Sequence, residues 1–371
     1  MSDRIRATAA KRVVVKVGSG VLAGGRAGLD GAVLRRLAAE VAAARAAGRE
    51  VIVVSSGAIL AGRERLRLPE RPDTALKQAA AAVGQSRLMR AWEAAFARRG
   101  LVAAQILLTA DDLRERGRYL NARATLQALL RLGAVPVVNE NDTVAVDEIK
   151  FGDNDGLSAL VAGLCGARLL VLLTDQDGLY SDDPRRRPDA RLIARVEPGE
   201  PAPRAGRAGR WGTGGMESKV RAARQAASAG IAAVVANGTR AGVLAAVLAG
   251  REEGTLFPPA PRPAGPRRQW LAFASRPKGR LTVDAGAREA LSERGRSLLP
   301  SGVRGVSGVF AAGDVVGLEE GGVEFARGIV NFGAREVERI KGLKTSELEA
   351  ALGRKAAGEV VHRDNLAVFR P

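Results

Sequence analysis

A short apolar segment near the middle of the chain ends abruptly in polar side chains. Residues 135–138 are valine and proline, and they are followed by Asn139, Glu140, Asn141 and Asp142; a second polar group, residues 152–155, comes shortly afterwards. An apolar, β-branched segment predicts a buried parallel strand, and ligands bind at the carboxyl ends of such strands in open α/β sheets. Amide and carboxylate groups together can bind both the ammonium and the carboxylate of a zwitterion. The pattern therefore predicts an enzyme that acts on an amino acid.

Four turns rich in glycine and hydroxyl groups lie at the ends of predicted strands or before predicted helices. They occupy residues 16–20, 55–58, 174–180 and 212–219. The first carries Lys16, whose ammonium could hold a transferring phosphate while the N–H groups of the turn bind its oxygens. Each turn alone has an ordinary structural explanation, because lysines at strand ends are often only solvated and glycine turns precede helices in any α/β fold. Four such turns on one sheet are more typical of a phosphate-binding edge.

Other common catalytic devices are missing from the sequence. The chain contains neither a G-x-x-x-x-G-K-[ST] phosphate loop nor a G-x-G-x-x-G dinucleotide motif. His362 is the only histidine, which excludes a Ser-His-Asp triad and a histidine-rich metal site in the larger domain.

Strands and helices alternate through the first ~255 residues, as expected for βαβ units. Strands are predicted at residues 12–17, 51–54, 102–107, 135–138, 169–173 and 233–235. Helices are predicted at residues 31–47, from 57, and at 76–98, 154–163 and 218–229, and Thr109 with Asp112 resembles a further helix cap. The fold class is therefore α/β, a mostly parallel sheet sandwiched by helices.

Two segments interrupt this alternation and define the domains. Residues 184–209 are rich in arginine, proline, alanine and glycine, which predicts a loop or mobile flap. A proline-rich linker is predicted at 257–269, between an α/β domain at 1–256 and a small mixed domain at 270–371. Within the second domain, strands are predicted at 269–274, 280–283, 306–310, 315–318, 328–331 and 360–362, with a helix at 288–294.

The composition limits the partners of the chain. A formal charge of +18 on 371 residues ordinarily suggests nucleic acid, but from Leu281 onward there are 13 Lys+Arg against 13 Asp+Glu. The excess is nearly all arginine and lies earlier in the chain, which favours a compositional bias. The single cysteine, Cys165, lies in an apolar helical run and is expected to be a buried thiol. Without a signal peptide or an apolar run of ~18 residues, the protein is predicted to be cytoplasmic and not to enter a membrane.

The four turns, in this order around residues 139–142, resemble the amino acid kinase family. The similarity is closest to those members that phosphorylate the γ-carboxylate of L-glutamate. The matching phrases are residues 53–59, 82–88, 107–109, 121–123, 138–142, 152–155 and 213–216. In the second domain, residues 281–284 and 297–302 resemble a PUA domain. The resemblance implies ATP and Mg²⁺ as cofactors and L-glutamyl 5-phosphate as the product, in the first step of proline biosynthesis. It also implies a homo-oligomer, and channelling of the labile product to a reductase.

The resemblance assigns roles to individual residues. Lys16 and Lys219 would act on the β- and γ-phosphates, and Asp175 would orient those lysines or a metal-bound water. Ser56, Asp142 and Asn154 would bind glutamate. The remaining nucleotide-binding residues would be Thr174, Asp175, Thr213, Gly214, Gly215, Met216, Glu217, Ser218 and Lys219.

Two positions depart from the family pattern, and two alternative functions remain. Gly20 stands where a serine is frequent, and Glu217 stands where a small polar residue is frequent, so that its charge would oppose ATP unless it faces solvent. One alternative is a kinase for N-acetylglutamate or aspartate, against which the PUA-like domain and residues 139–142 argue. The other is RNA binding through the PUA-like domain, which its balanced charge does not favour as a primary role.

Overall fold

The computed structural model describes residues 4, 9–69, 72–145, 154–184, 187–200, 215–260, 270–271 and 277–369. The chain divides into two compact units, Met1–Pro263 and Ala264–Pro371. This division falls within the predicted linker at 257–269. Among the helices of the described ranges, none combines the length and the apolar character that a membrane-spanning segment requires.

The first unit is built on a seven-stranded sheet. Its strands are β1 (Arg12–Val17), β2 (Glu50–Ser55), β3 (Ala103–Leu108), β4 (Val135–Glu140), β5 (Leu169–Thr174), β6 (Ala232–Asn237) and β7 (Thr255–Phe257). Their order is β3-β4-β2-β1-β5-β6-β7, and every pairing is parallel except that of β6 with β7. The predicted α/β class is therefore confirmed. The chain runs outward from β1 to β2 on one side and returns to β5 on the other, so a topological switch point lies at the carboxyl end of β1.

Helices cover both faces of this sheet. They are α1 (Ser19–Ala23), α2 (Gly31–Ala46), α3 (Ala58–Leu66), α4 (Thr74–Ala97), α5 (Ala110–Arg114), α6 (Arg116–Arg131), α7 (Asn154–Cys165), α8 (Met216–Ser228) and α9 (Val243–Leu248). One core contains side chains of α2, α4 and α9, and the other contains side chains of α6, α7 and α8. Such two-sided burial is why the strands read as continuous apolar runs.

The second unit has a five-stranded mixed sheet with its own core. Its strands are β8 (Gly279–Val283), β9 (Val303–Gly308), β10 (Val315–Glu320), β11 (Val323–Val330) and β12 (Val361–Val368), in the order β12-β11-β10-β8-β9. The helices are α10 (Ala285–Ser292), α11 (Ala334–Ile340) and α12 (Leu348–Leu352), with 3₁₀ turns at Pro300–Gly302 and Thr345–Glu347. Only β8 and β10 pair in parallel among these strands. Leu281, Val316 and Val337 lie in the fully buried core.

Several predicted elements need correction. The helix α6 was not predicted; only two of its residues, Leu126 and Leu130, are buried, and most of the others are polar or small. The strand β7 was also missed, since three residues carry no period, and Phe257, assigned to the linker, is its last and fully buried residue. The strand predicted at 269–274 lies mostly outside the described residues.

The segment predicted as a loop or mobile flap at 184–209 is partly attached to the first unit. The Ile193 N–H donates to the Leu179 carbonyl, and the Val196 N–H donates to the Leu256 carbonyl. Val196 is buried in the core that contains α7 and α8. The correction applies to residues 187–200, because 185–186 and 201–214 are outside the described residues.

Candidate active site

The alternation of side chains along β1 decides which helices Lys16 can meet. Val13 and Val15 belong to the core that contains Trp92 of α4, whereas Val14 belongs to the core that contains α7 and α8. Because successive side chains of a strand point to opposite faces, Lys16 lies on the side of α7 and α8. Gly18, which follows β1, lies beside this side chain: a Cβ there would be in van der Waals contact with Lys16 Nζ, 3.8 Å away.

One buried carboxylate bridges two lysines on that side. Lys16 Nζ lies 2.5 Å from Asp155 Oδ1, and Lys219 Nζ lies 3.2 Å from Asp155 Oδ2. The three residues come from the end of β1 and from the first turns of α7 and α8. Their exposed fractions are 3% for Lys16, 0% for Asp155 and 6% for Lys219. Buried charges require partners, so this mutual pairing is what allows two ammonium groups to stand together at the sheet edge.

The pairing also fixes the charge state of Asp155. Burial alone would raise the pKa of this carboxyl, but Lys16 and Lys219 outweigh burial and hold the pKa well below its ordinary value. The Ser218 hydroxyl contributes by donating to Asp155 Oδ2 at 2.8 Å. Asp155 is therefore ionised at neutral pH, and the three groups together carry one net positive charge, which suits an anionic ligand.

The glycine segment assigned to the nucleotide leads into α8. Gly215 is the N-cap, with an extended backbone, and the helix begins at Met216. The first turn of a helix presents unpaired N–H groups at the positive end of the helix dipole, which favours phosphate oxygens. Glu217 is exposed, so its charge faces solvent. Thr213 and Gly214 lie outside the described residues.

A second polar cluster lies at the ends of β2 and β4. Asn154 Nδ2 donates to Ser56 Oγ at 3.0 Å and to Asn139 Oδ1 at 2.9 Å. The backbone N–H of Glu140 donates to Asn139 Oδ1 at 2.9 Å and to Asn154 Oδ1 at 3.3 Å. Two of the residues assigned to glutamate, Ser56 and Asn154, are thus in direct contact.

The two neighbouring serines at the end of β2 have different environments. Ser55 is fully buried, accepts a hydrogen bond from Trp92 Nε1 at 2.9 Å and donates to the Ser56 carbonyl. Ser56 lies beyond it on the opposite side, where it meets α7, and it is only half-buried. Ser55 therefore anchors α4 to the sheet, and Ser56 is the serine that can reach a ligand.

The first turn of α7 joins the two clusters. Asn154 contacts the Ser56 group and the adjacent Asp155 contacts the two lysines. Consecutive helical residues point about 100° apart, so one helix start can serve two neighbouring pockets. The groups predicted to bind phosphate and those predicted to bind the amino acid are therefore held by the same rigid element.

The other predicted residues lie at the same edge but outside these two clusters. Thr174 is buried at the end of β5, and its hydroxyl donates to Asp175 Oδ1 at 3.1 Å. Asp175 is exposed and faces Gly20, where a Cβ would lie 3.5 Å from Asp175 Oδ2. Asp142 is half-buried in the turn after β4. That Asp142 binds the substrate ammonium stays a prediction.

Sequence reasoning missed the residue that pairs with the lysines. It expected Asp175 to orient Lys16 and Lys219 or a metal-bound water, whereas within the described residues both lysines form ion pairs with Asp155. A signal was available, because a carboxylate in the first turn of an almost wholly apolar helix such as α7 must be buried and paired. Gln85 was given no role, and Asn139 only a general one within the polar group 139–142, although Asn139 Nδ2 donates to Gln85 Oε1 at 2.8 Å.

The donor set agrees with a metal ion that is held mainly by phosphates. Within the described ranges, no cluster of three or more His, Cys, Asp or Glu residues is placed to hold a metal ion. Both oxygens of Asp155 already face ammonium groups. Mg²⁺ often binds through substrate phosphates, water and one or two carboxylates, and the exposed Asp175 fits that arrangement.

Comparison with known proteins gives the same assignment along almost the whole chain. Residues 11–237 match the amino acid kinase family model, and residues 279–352 match the PUA domain model. A solved structure of isopentenyl phosphate kinase from T. acidophilum, at 19% identity, covers 66% of this chain and 99% of its own, with a TM-score of 0.49.

Curated relatives are much more similar in sequence. Glutamate 5-kinase of Citrifermentans bemidjiense is 52% identical over 97% of this chain and 98% of its own. The glutamate 5-kinases of Geobacter metallireducens and Thermus thermophilus are 54% and 53% identical, each over 97% of this chain and over 98% and 97% of their own lengths. The chain therefore belongs to the amino acid kinase family and, within it, to the glutamate 5-kinase family.

Proposed function

We propose that this protein transfers the γ-phosphoryl group of ATP to the γ-carboxylate of L-glutamate, which gives L-glutamyl 5-phosphate and ADP and begins proline biosynthesis. Membership of the glutamate 5-kinase family supports this substrate pair. The observation that carries the proposal is the position of the Lys16–Asp155–Lys219 bridge, which is one residue along α7 from the Asn154–Ser56 contact.

The lysines supply the electrostatic part of the reaction. Phosphoryl transfer passes through a loose transition state with charge spread over the phosphoryl oxygens, so catalysis depends on alignment and charge stabilisation. Lys16 and Lys219 are already oriented by Asp155, and each side chain leaves a buried element directed at the same point. Preorganised charges of this kind need not rearrange as the transition state forms.

The acceptor needs no catalytic base. The γ-carboxylate of glutamate is ionised at neutral pH, so its oxygen can attack the γ-phosphorus directly. The new C–O–P bond forms while the bond from the γ-phosphorus to the bridging oxygen of ADP breaks, and no proton is transferred. Ser56, Asn154 and Asp142 would orient glutamate by binding its α-ammonium and carboxylate groups.

A Mg²⁺ ion that binds together with ATP would neutralise charge on the departing ADP. We assign a water of its coordination shell to Asp175, whose carboxylate is exposed at the end of β5. Thr174, beside it, and the first turn of α8 would contact the nucleotide.

The direct test traps the acyl phosphate. The full-length protein is incubated with ATP, Mg²⁺, hydroxylamine and L-glutamate, and both hydroxamate and ADP are measured. We expect both products to depend on glutamate, with little product from aspartate or N-acetylglutamate. A higher kcat/KM for either alternative would assign this chain to another amino acid, and equal ADP release without any amino acid would contradict phosphotransfer to a carboxylate.

Two features of the assembly stay predictions. We expect a homo-oligomer, which size-exclusion chromatography with light scattering would detect. We also expect that glutamyl-phosphate reductase receives the product directly, because acyl phosphates hydrolyse readily in water. Addition of excess inactive reductase should then lower the flux of a coupled system by competing for the channelled intermediate.

A further inference from the structure

We propose that Gln85 is a positioning residue that holds the Asn139 side chain, and through it Asn154, in the orientation that leaves the hydrogen of the Ser56 hydroxyl for the substrate. In this arrangement Ser56 donates a hydrogen bond to a carboxylate oxygen of the substrate. The inference rests on the proposed function, because it assumes that an amino acid binds beside Ser56 and Asn154.

The direction of the hydrogen bonds is established by one backbone group. The Glu140 N–H can only donate, and it lies 2.9 Å from the Asn139 side chain and 3.3 Å from the Asn154 side chain. The atom that receives it must therefore be an amide oxygen in each case, because an NH₂ group cannot accept. This requirement removes the usual ambiguity between the oxygen and nitrogen of the two asparagine amides.

The hydrogen bonds form a network that runs from Gln85 through Asn139 and Asn154 to Ser56. Gln85 lies at one end of it. With its oxygen turned to Glu140, Asn139 presents Nδ2 to Gln85, 2.8 Å away, so the Gln85 atom there must be Oε1. Gln85 Nε2 is then buried, and no group in the described part of the chain accepts its hydrogens. A buried unpaired donor is costly. Gln85 therefore provides an acceptor for Asn139, while its own NH₂ group has no acceptor among the described residues.

The consequence at the other end falls on Ser56. Asn139 Oδ1 accepts from Asn154 Nδ2, and the same Nδ2 also donates to Ser56 Oγ at 3.0 Å. Ser56 is thus an acceptor within the network, and within the described residues nothing takes up its hydroxyl hydrogen. A hydroxyl has a single hydrogen, which remains for a ligand on the half-buried side of Ser56. A carboxylate, which only accepts, is the matching ligand group.

A close helix contact holds Gln85 in place. A Cβ on the preceding residue, Gly84, would lie 1.8 Å from the Ala58 carbonyl oxygen, so glycine is required for α4 to approach α3 this closely. Ala58 is the first residue of α3 and is two residues beyond Ser56. The two ends of the hydrogen-bond network are therefore fixed to helices that pack directly against each other.

The test is a double-mutant cycle between Gln85 and Ser56. Gln85→Met has a similar length but lacks the acceptor, so the Asn139 NH₂ group loses the partner that holds it, and the Asn139 and Asn154 side chains are oriented by the Glu140 N–H alone. We expect the glutamate KM in the hydroxamate assay to rise about 5- to 50-fold, with the ATP KM within about twofold. In the Ser56→Ala background the same substitution should change the glutamate KM less than about twofold, because the hydroxyl whose hydrogen the network leaves for the substrate is gone.

A matched control is Gln127→Met on α6, because the Gln127 side chain forms no hydrogen bond among the described residues. The glutamate KM of this variant should equal that of the wild type. Circular dichroism checks folding, and Gln85→Leu replaces Gln85→Met if that protein does not fold. The inference would be overturned if Gln85→Met raised the glutamate KM by the same factor in the wild-type and Ser56→Ala backgrounds, or did not change it at all. Either result would leave the proposed function intact. A wild-type protein without glutamate-dependent turnover would overturn the proposed function first, and this inference with it.

Discussion

Removal of the charge of Asp155 is the most direct test of the two-lysine site. Asp155→Asn preserves the size of the side chain and can still accept from Ser218, but it removes the buried negative charge that faces both Lys16 and Lys219. The loss should therefore appear both in stability and in turnover. It should also depend on ATP, because phosphates can replace the missing negative charge.

The magnitude follows from burial. Removing one partner of a buried ion pair typically costs about 3–5 kcal/mol, and Asp155 is fully buried. At about 2–4 °C per kcal/mol for a domain of this size, the Tm of the first unit should fall by roughly 6–20 °C. Loss of preorganised charge at the phosphates should lower kcat about 10²- to 10³-fold, as for other transition-state donors.

Thermal unfolding and the hydroxamate assay measure both effects. We expect saturating ATP to raise the Tm of Asp155→Asn by more than it raises that of the wild type. The matched control is Asp314→Asn, which removes one exposed ion pair, Lys278 to Asp314 at 2.8 Å, in the second unit. Surface pairs contribute about 0–1 kcal/mol, which is at most about 4–8 °C for a unit as small as Ala264–Pro371, and the Tm of the first unit should not change.

The reasoning would be refuted by an Asp155→Asn protein with a Tm within about 2 °C of the wild type and a kcat within tenfold. That result would mean that the lysines do not depend on Asp155. A lower Tm with unchanged kcat would assign Asp155 to folding alone.

Four further predictions concern single side chains and the second unit. Lys16→Ala should lower turnover by about 10²- to 10³-fold without unfolding the protein, whereas Lys11→Ala, at an exposed lysine, should leave turnover unchanged. Equal effects of the two substitutions would show that Lys16 is not part of the active site. Asp142→Ala should raise the glutamate KM and leave the ATP KM nearly unchanged. A raised ATP KM with an unchanged glutamate KM would mean that the glutamate and ATP pockets were assigned the wrong way round. Because burial raises the pKa of the Cys165 thiol to about 12, the native protein should not react with iodoacetamide below pH ~9, and rapid labelling without denaturant would contradict this burial. A chain ending at Pro261 should fold and keep glutamate kinase activity, since β7 completes the sheet at Phe257; an inactive truncated protein beside an active full-length one would make the second unit part of the active site.

Local patterns were enough to locate the chemistry along the chain. Lys16, Ser56 and Asn154 each stand at the end of an apolar strand or the start of a helix, and the structure brings all three to the same edge. The reason is general: parallel strands end on the same side of a sheet, so polar residues after each strand must converge. The Thr109–Asp112 capping box was likewise predicted correctly, because a cap depends on residues three apart.

Relations between distant residues required the fold. Asp155 pairs with lysines 139 and 64 positions away, and although its place in an apolar helix indicates burial, no local pattern indicates that these two lysines are its partners. Ser55 and Ser56 are identical in type and adjacent in sequence. Their separate environments arise only because the sheet has α4 on one face and α7 on the other.

The same limit explains the missed elements. The strand β7 is three residues long and exists because β6 offers it an edge to pair with, while α6 buries only Leu126 and Leu130. The hydrogen bonds from Gln85 through Asn139 to Ser56 also join three elements that are distant in sequence. Residue type and spacing therefore indicate where charged and polar groups lie along the chain, but their partners and hydrogen-bond directions follow from packing, which brings together residues that sequence separation keeps apart.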